Sequence, residues 1–188
     1  MMKNEDAVSP VIGVMLMIVV TVVIAAVVSA YAGDMTGGQS AAPTASIKTS
    51  IVKEDADNAI LTFKHNGGDS INTANLRIYV SYTNSDGNPQ QNRTSGALAS
   101  LTNSEGTSVT AKVPYLTDTK IGTVGDDATN FGNFMWTTGQ ILSSGNAAGF
   151  EAIMGVSPSE ISLGDTFNIK LVDTSSQKAI VDQDVTVQ

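Results

Sequence analysis

Residues 11–32 read VIGVMLMIVVTVVIAAVVSAYA, interrupted only by Gly13, Thr21, Ser29 and Tyr31. About 20 such residues suffice to cross a hydrocarbon core of about 30 Å. Valine and isoleucine are indifferent helix formers in water, yet in lipid or in a packed bundle a helix lets a single segment satisfy its own backbone. The stretch therefore predicts one long apolar helix. Ser9 followed by Pro10 has the form of an N-cap with proline at the first helical position, where the missing N–H costs nothing. Gly33, Gly37 and Gly38 supply a stop, and the Gly-, Ser-, Ala- and Thr-rich run around them reads as a flexible neck.

Composition changes on leaving this segment: residues 7–33 carry no charged side chain, whereas charges recur through the rest of the chain. About 155 residues follow, near the usual size of one domain, so a single head is expected. Eighteen Asp and Glu against ten Lys and Arg give a net charge of -8, which repels phosphate backbones and argues against a nucleic-acid partner. Cysteine is absent, so the head has neither disulfides nor thiolate metal ligands to hold it.

Past the neck, the patterning has a period of two. Segments 46–53 and 59–65 alternate or cluster apolar and polar residues on either side of an acidic turn at 54–58. Leu76, Ile78, Val80 and Tyr82 share one face of 76–82, which runs into turn formers at 84–89. Further stretches are 108–113, 166–173, 178–181 and 184–187. Many short strands and no amphipathic helix predict an α+β chain: one long N-terminal hydrophobic α-helix followed by an all-β, sandwich-like (Ig-like) head. The glycine-rich region 122–155 holds Phe131, Phe134, Trp136 and Phe150 and reads as long loops whose aromatics are either core or an exposed contact patch.

Little here suggests chemistry. His65 is the single histidine and stands beside Gly67-Gly68-Asp69, a tight turn needing positive φ with Asp69 bonded to its own backbone. No Walker or dinucleotide fingerprint occurs, and one histidine without cysteine excludes the common zinc sites. No cofactor is expected, and no enzyme. Asn84, Asp86 and Asn88, and separately Asp126-Asp127, place oxygens in glycine-containing loops, but without a closing glutamate they read as ordinary turns. One sequon, Asn92-Arg93-Thr94, falls in a polar segment read as a loop able to carry a glycan outside the cell.

The apolar helix admits three readings. Ala30-Tyr31-Ala32 matches the small-x-small site of a cleaved secretory signal, although the stretch exceeds a typical h-region and Lys3 is offset by Glu5 and Asp6. A plain single-pass anchor fits the length. The third reading attends to what precedes the helix: DAVSPVIGVMLMIVVTVVIAAVVSAYAG, residues 6–33, resembles the N-terminal region of archaeal type IV pilins, with a short charged leader, a small residue before the cut and an SPVIG-type opening. Segments 65–71 and 164–187 also resemble recurrent stretches of archaeal pilin heads.

That resemblance implies a class III signal, cut on the cytoplasmic side by a prepilin peptidase between Ala7 and Val8. It implies a leader at 1–7, a transmembrane and filament-core helix at 8–33, a neck at 34–46 and an extracellular head at 47–188. Ile12 stands where bacterial members usually carry glutamate, as is normal for archaeal ones. The implied protein is a structural pilin, inserted in the membrane as a precursor and then drawn by a pilus assembly platform into a homopolymer of identical subunits at the cell surface, serving adhesion. Gly13, Ala25, Ala26, Ser29 and Ala30 are the small residues that would let such helices approach closely. The competing expectation is a membrane-anchored extracellular binding protein that never polymerises.

Overall fold

The computed structural model describes residues 10–36, 41–84 and 86–188. Helix α1 (Pro10–Thr36) lies in one unit, and Ala41–Gln188 forms a second with its own core. The helix passes through Gly33, and strand β1 opens at Ala45, so regular structure extends into both ends of the span expected as a neck. A single interior glycine costs only about 1 kcal/mol, too little to end a long apolar helix by itself.

The head contains β1 (Ala45–Lys53), β2 (Ala59–Gly68), β3 (Ile71–Asn72), β4 (Leu76–Thr83), β5 (Pro89–Thr94) and β6 (Ala97–Thr102). They are followed by β7 (Ser108–Val113), β8 (Tyr115–Leu116), β9 (Met135–Trp136), β10 (Ile141–Ser143), α2 (Ala147–Met154), β11 (Thr166–Asp173) and β12 (Lys178–Thr186). Two four-stranded antiparallel sheets, in the orders β1-β2-β10-β8 and β12-β11-β4-β5, carry most of the pairing, with small ribbons β3-β9 and β6-β7 beside them. The alternation read from sequence becomes burial. Ile47, Ile51, Leu61 and Phe63 of the first sheet and Leu76, Ile78, Val80, Phe167, Ile169 and Leu171 of the second belong to one buried cluster. Each such side chain contributes about 1.5–3 kcal/mol on burial. The sheets also meet directly: Ile51 pairs in parallel with Val187, and the Gln183 amide donates to the Thr49 hydroxyl.

Several sequence expectations are corrected. Helix α2 breaks the all-β reading of the head: Asn146 caps it by accepting from the Gly149 N–H at 3.0 Å, and Gly155 ends it at φ 74°. Region 122–155 is therefore not loops alone but includes β9, β10 and α2, and its aromatics are structural, with Phe131, Trp136 and Phe150 fully buried and Phe134 packed against the core. Segments 178–181 and 184–187 merge into the single strand β12. Asp69 does not bond its own backbone: its carboxylate accepts from the Thr44 N–H at 2.9 Å, tying the start of β1 to the end of β2. Gly68 adopts φ 107°, and a Cβ there would lie 2.3 Å from the Thr44 carbonyl oxygen, so the close approach of the two strands requires glycine. His65 is buried; its Nε2 donates to the Asp69 carbonyl at 2.9 Å and its ring meets Trp136 edge-on with centroids 5.3 Å apart.

The β11–β12 turn depends on a buried carboxylate. Asp173 accepts from the Ser175 hydroxyl at 2.5 Å and the Ser176 N–H at 2.8 Å. Burial pushes its carboxyl up, but the hydrogen bonds from Ser175 and Ser176 outweigh that and hold it below the usual carboxylate range. An unfolded aspartate takes up its proton near pH 4, the folded one only at lower pH. The stabilisation is therefore complete above about pH 4 and is lost as pH falls through the folded value. Asp173→Asn is expected to melt lower than the parent at pH 7 and to show a shallower loss of melting temperature on acidification. Parallel curves for the two proteins would remove Asp173 from the acid response.

The apolar helix as a candidate assembly element

Helix α1 is apolar on every side. The stretch Pro10–Gly33, 24 residues long, measures about 36 Å at 1.5 Å per residue, more than the roughly 30 Å of a hydrocarbon core. All its described side chains are exposed. A helix apolar all round is stable only when lipid or other helices surround it. Its few polar atoms suit that setting. Thr21 turns its hydroxyl back to the Ile18 carbonyl at 2.9 Å, so no donor is left to desolvate. Tyr31, near the C-terminal end, is an amphipathic ring of the kind that sits at a membrane–water boundary.

The small residues expected to line a helix contact fall into two sets. Ala25 with Ser29, and Ala26 with Ala30, are i, i+4 pairs that form adjoining stripes on one side. Gly13 lies twelve residues before Ala25, which at 3.6 residues per turn sets it off by roughly 120°. One close-packed seam cannot contain all five. Pro10, the first described residue, already lies in α1. Ser9, with the Ala7 and Val8 of the expected cleavage site, lies outside the described residues.

The sequon is not in a loop. Asn92 lies on the edge strand β5, and its Nδ2 donates to the Ile153 carbonyl of α2 at 2.7 Å while its Oδ1 accepts from the Arg93 N–H at 2.9 Å. Thr94 is buried, its hydroxyl accepting from the Gly96 N–H at 3.1 Å. The side chain a glycan would use is the one that holds the C-terminal end of α2, a contact that only the fold creates because Asn92 and Ile153 stand far apart in the chain. In the two acidic loops the oxygens serve turns: Asn84 Oδ1 accepts from the Asn88 N–H at 2.8 Å, and Asp126 from the Thr123 N–H at 2.7 Å.

The chain thus joins an apolar helix long enough to cross a membrane to a β-rich head with its own core. Residues 6–47, under a quarter of the chain, match the family model described as archaeal type IV pilin, N-terminal. The match spans α1 and ends in β1. Among curated proteins none matches the chain.

Proposed function

We propose that the chain is a structural subunit, a pilin, of an archaeal type IV pilus-like surface filament, with α1 helices packed in the core, β heads outside, and adhesion as its role. The observation that carries this is α1 itself, exposed and apolar on all sides and within the stretch that matches the pilin N-terminal model. Before maturation the helix holds the precursor in the membrane. A prepilin peptidase then cuts between Ala7 and Val8, and an assembly platform moves the subunit into a homopolymer. Helix contacts replace lipid contacts, at small hydrophobic cost because both surroundings are apolar. The work of the protein is assembly, with no catalytic step and no cofactor.

The test is the N-terminal sequence and intact mass of protein sheared from the cell surface. A start at Val8 with the helix retained is expected. A start at Gly33 would make the chain an ordinary secreted domain and end the assembly mechanism. Met1 on a form that stays in the membrane, with nothing sheared off, would favour the anchored binding protein.

A further inference from the structure

The outward face of the β12-β11-β4-β5 sheet is organised in cross-strand rows. Register places Arg93 opposite Tyr79, Tyr79 opposite Lys170, and Lys170 opposite Asp182. The neighbouring row is Gln91, Ser81, Asn168 and Asp184. Arg77, two residues before Tyr79, shares its face.

Charge on this face is unusual for the molecule. Arg77 and Arg93 are the chain's two arginines, in a protein of net charge -8. Neither forms an ion pair among the described residues, where Lys170 with Asp182 at 2.8 Å is the pair observed. An acidic protein that leaves both guanidinium groups unmatched on one face holds planar, bidentate donors in reserve for carboxylate or sulfate groups from outside.

Shape narrows the ligand. A hollow of about 400 Å³ lies over Tyr79, Arg93 and Lys170, and another of about 410 Å³ adjoins it, the two sharing Ser81, Gln91 and Asn168. Together they exceed what a single small anion needs. The half-buried Tyr79 ring offers an apolar face of the kind on which the C–H face of a sugar stacks. The second row supplies amides, a hydroxyl and a carboxylate for sugar hydroxyls. Asn168 donates to Asp182 at 3.1 Å and Asp184 at 2.9 Å, which leaves its own carbonyl oxygen to accept from a ligand. The two adjoining open hollows run along the same face and give room for several linked units of a chain-like ligand.

We infer that this face binds an acidic polysaccharide, with Tyr79 stacking on a sugar ring, Arg93 and Arg77 holding its carboxylate or sulfate groups, and Gln91, Ser81 and Asn168 reading its hydroxyls. This gives the adhesive role proposed above a ligand class and rests on that reading for its setting, but the binding itself does not require polymerisation.

The experiment is isothermal titration of the full chain in detergent micelles with trigalacturonate and a heparin-derived hexasaccharide, alongside neutral maltotriose and inorganic sulfate. At least one acidic oligosaccharide is expected to bind at least about tenfold more tightly than maltotriose and sulfate, and more weakly as salt is raised. Arg93→Gln and Tyr79→Ala should each weaken that binding at least about tenfold. Arg93 is exposed, so its substitution carries the test if loss of the Tyr79 ring disturbs the head. The inference is overturned if neither acidic oligosaccharide binds, if maltotriose or sulfate binds as well, or if both substitutions leave affinity unchanged. Should they spare binding but lower the yield of sheared fibres, the face belongs to a second copy of the chain and the inference falls. Filament yield and binding are read separately, so failure here and failure of the pilin assignment are distinguishable.

Discussion

Ala26→Trp is expected to remove filaments from sheared surface material while leaving the precursor in the membrane at its normal level. Ala26 and Ala30 form one of two small-residue stripes on an otherwise bulky helix. Lipid tails flow around an indole, so insertion tolerates the change, and tryptophan is itself acceptable within a spanning helix. A packed neighbour does not flow. Overfilling a close contact costs about 1–3 kcal/mol, and if the contact recurs at each subunit addition this raises the concentration needed for growth roughly 5- to 150-fold. Ala26→Gly keeps the approach open and is expected to assemble, with Ala26→Leu between the two. Normal fibres from the tryptophan variant would show that this side of α1 does not face another helix. Loss of the precursor from the membrane as well would point to failed insertion and leave packing out of the explanation.

Residues made legible by period were those whose packing alternates. Segments 108–113 and 166–173 coincide with β7 and β11, because Ala111 and Val113, and Phe167, Ile169 and Leu171, are buried in strict alternation. Strand β5 was not legible: PQQNRT contains no large apolar residue, and as an edge strand beginning with proline it buries only Thr94. Its pairing is imposed by β4, which alternates well enough to template it. Strand β6 hides because its inward residues are Ala99 and Leu101, half of them too small to mark a face.

Function divided along the same line. The apolar helix announces itself because a membrane or filament core demands a long unbroken run, which nothing in a water-soluble head imitates. The arginine–tyrosine face could not be seen in sequence, since Arg77 and Tyr79, Arg93, and Lys170 come from three strands and meet only through register. Asn92 is the reverse case, a motif plain in sequence whose side chain the fold also employs to hold α2.

The second large effect is expected at Gly149→Ala. Gly149 lies in the first turn of α2, where its N–H is held by the Asn146 cap, and a Cβ there would stand 1.9 Å from the Ser144 carbonyl oxygen. That oxygen is backbone and cannot swing aside. Ser144 is itself fixed, its N–H donating to the Leu61 carbonyl at 2.9 Å and its hydroxyl accepting from the Leu61 N–H at 3.0 Å. Relief therefore requires α2 to move bodily, taking with it Phe150, Ile153 and Met154, all fully buried. A loss of about 3 kcal/mol or more is expected, at the upper end of overpacking costs. It corresponds to a fall of roughly 6–12 °C in melting temperature for a domain of this size. Trp136, the single tryptophan and fully buried, reports unfolding by fluorescence. Gly67→Ala is the control, since a Cβ there meets nothing within 4 Å, and its change should stay within about 0.5 kcal/mol. Equal melting of the two variants would mean that α2 is not wedged against the β10 end of the sheet. Loss of stability at Gly149 alone would establish that this two-turn helix, invisible to periodicity, is part of what closes the core.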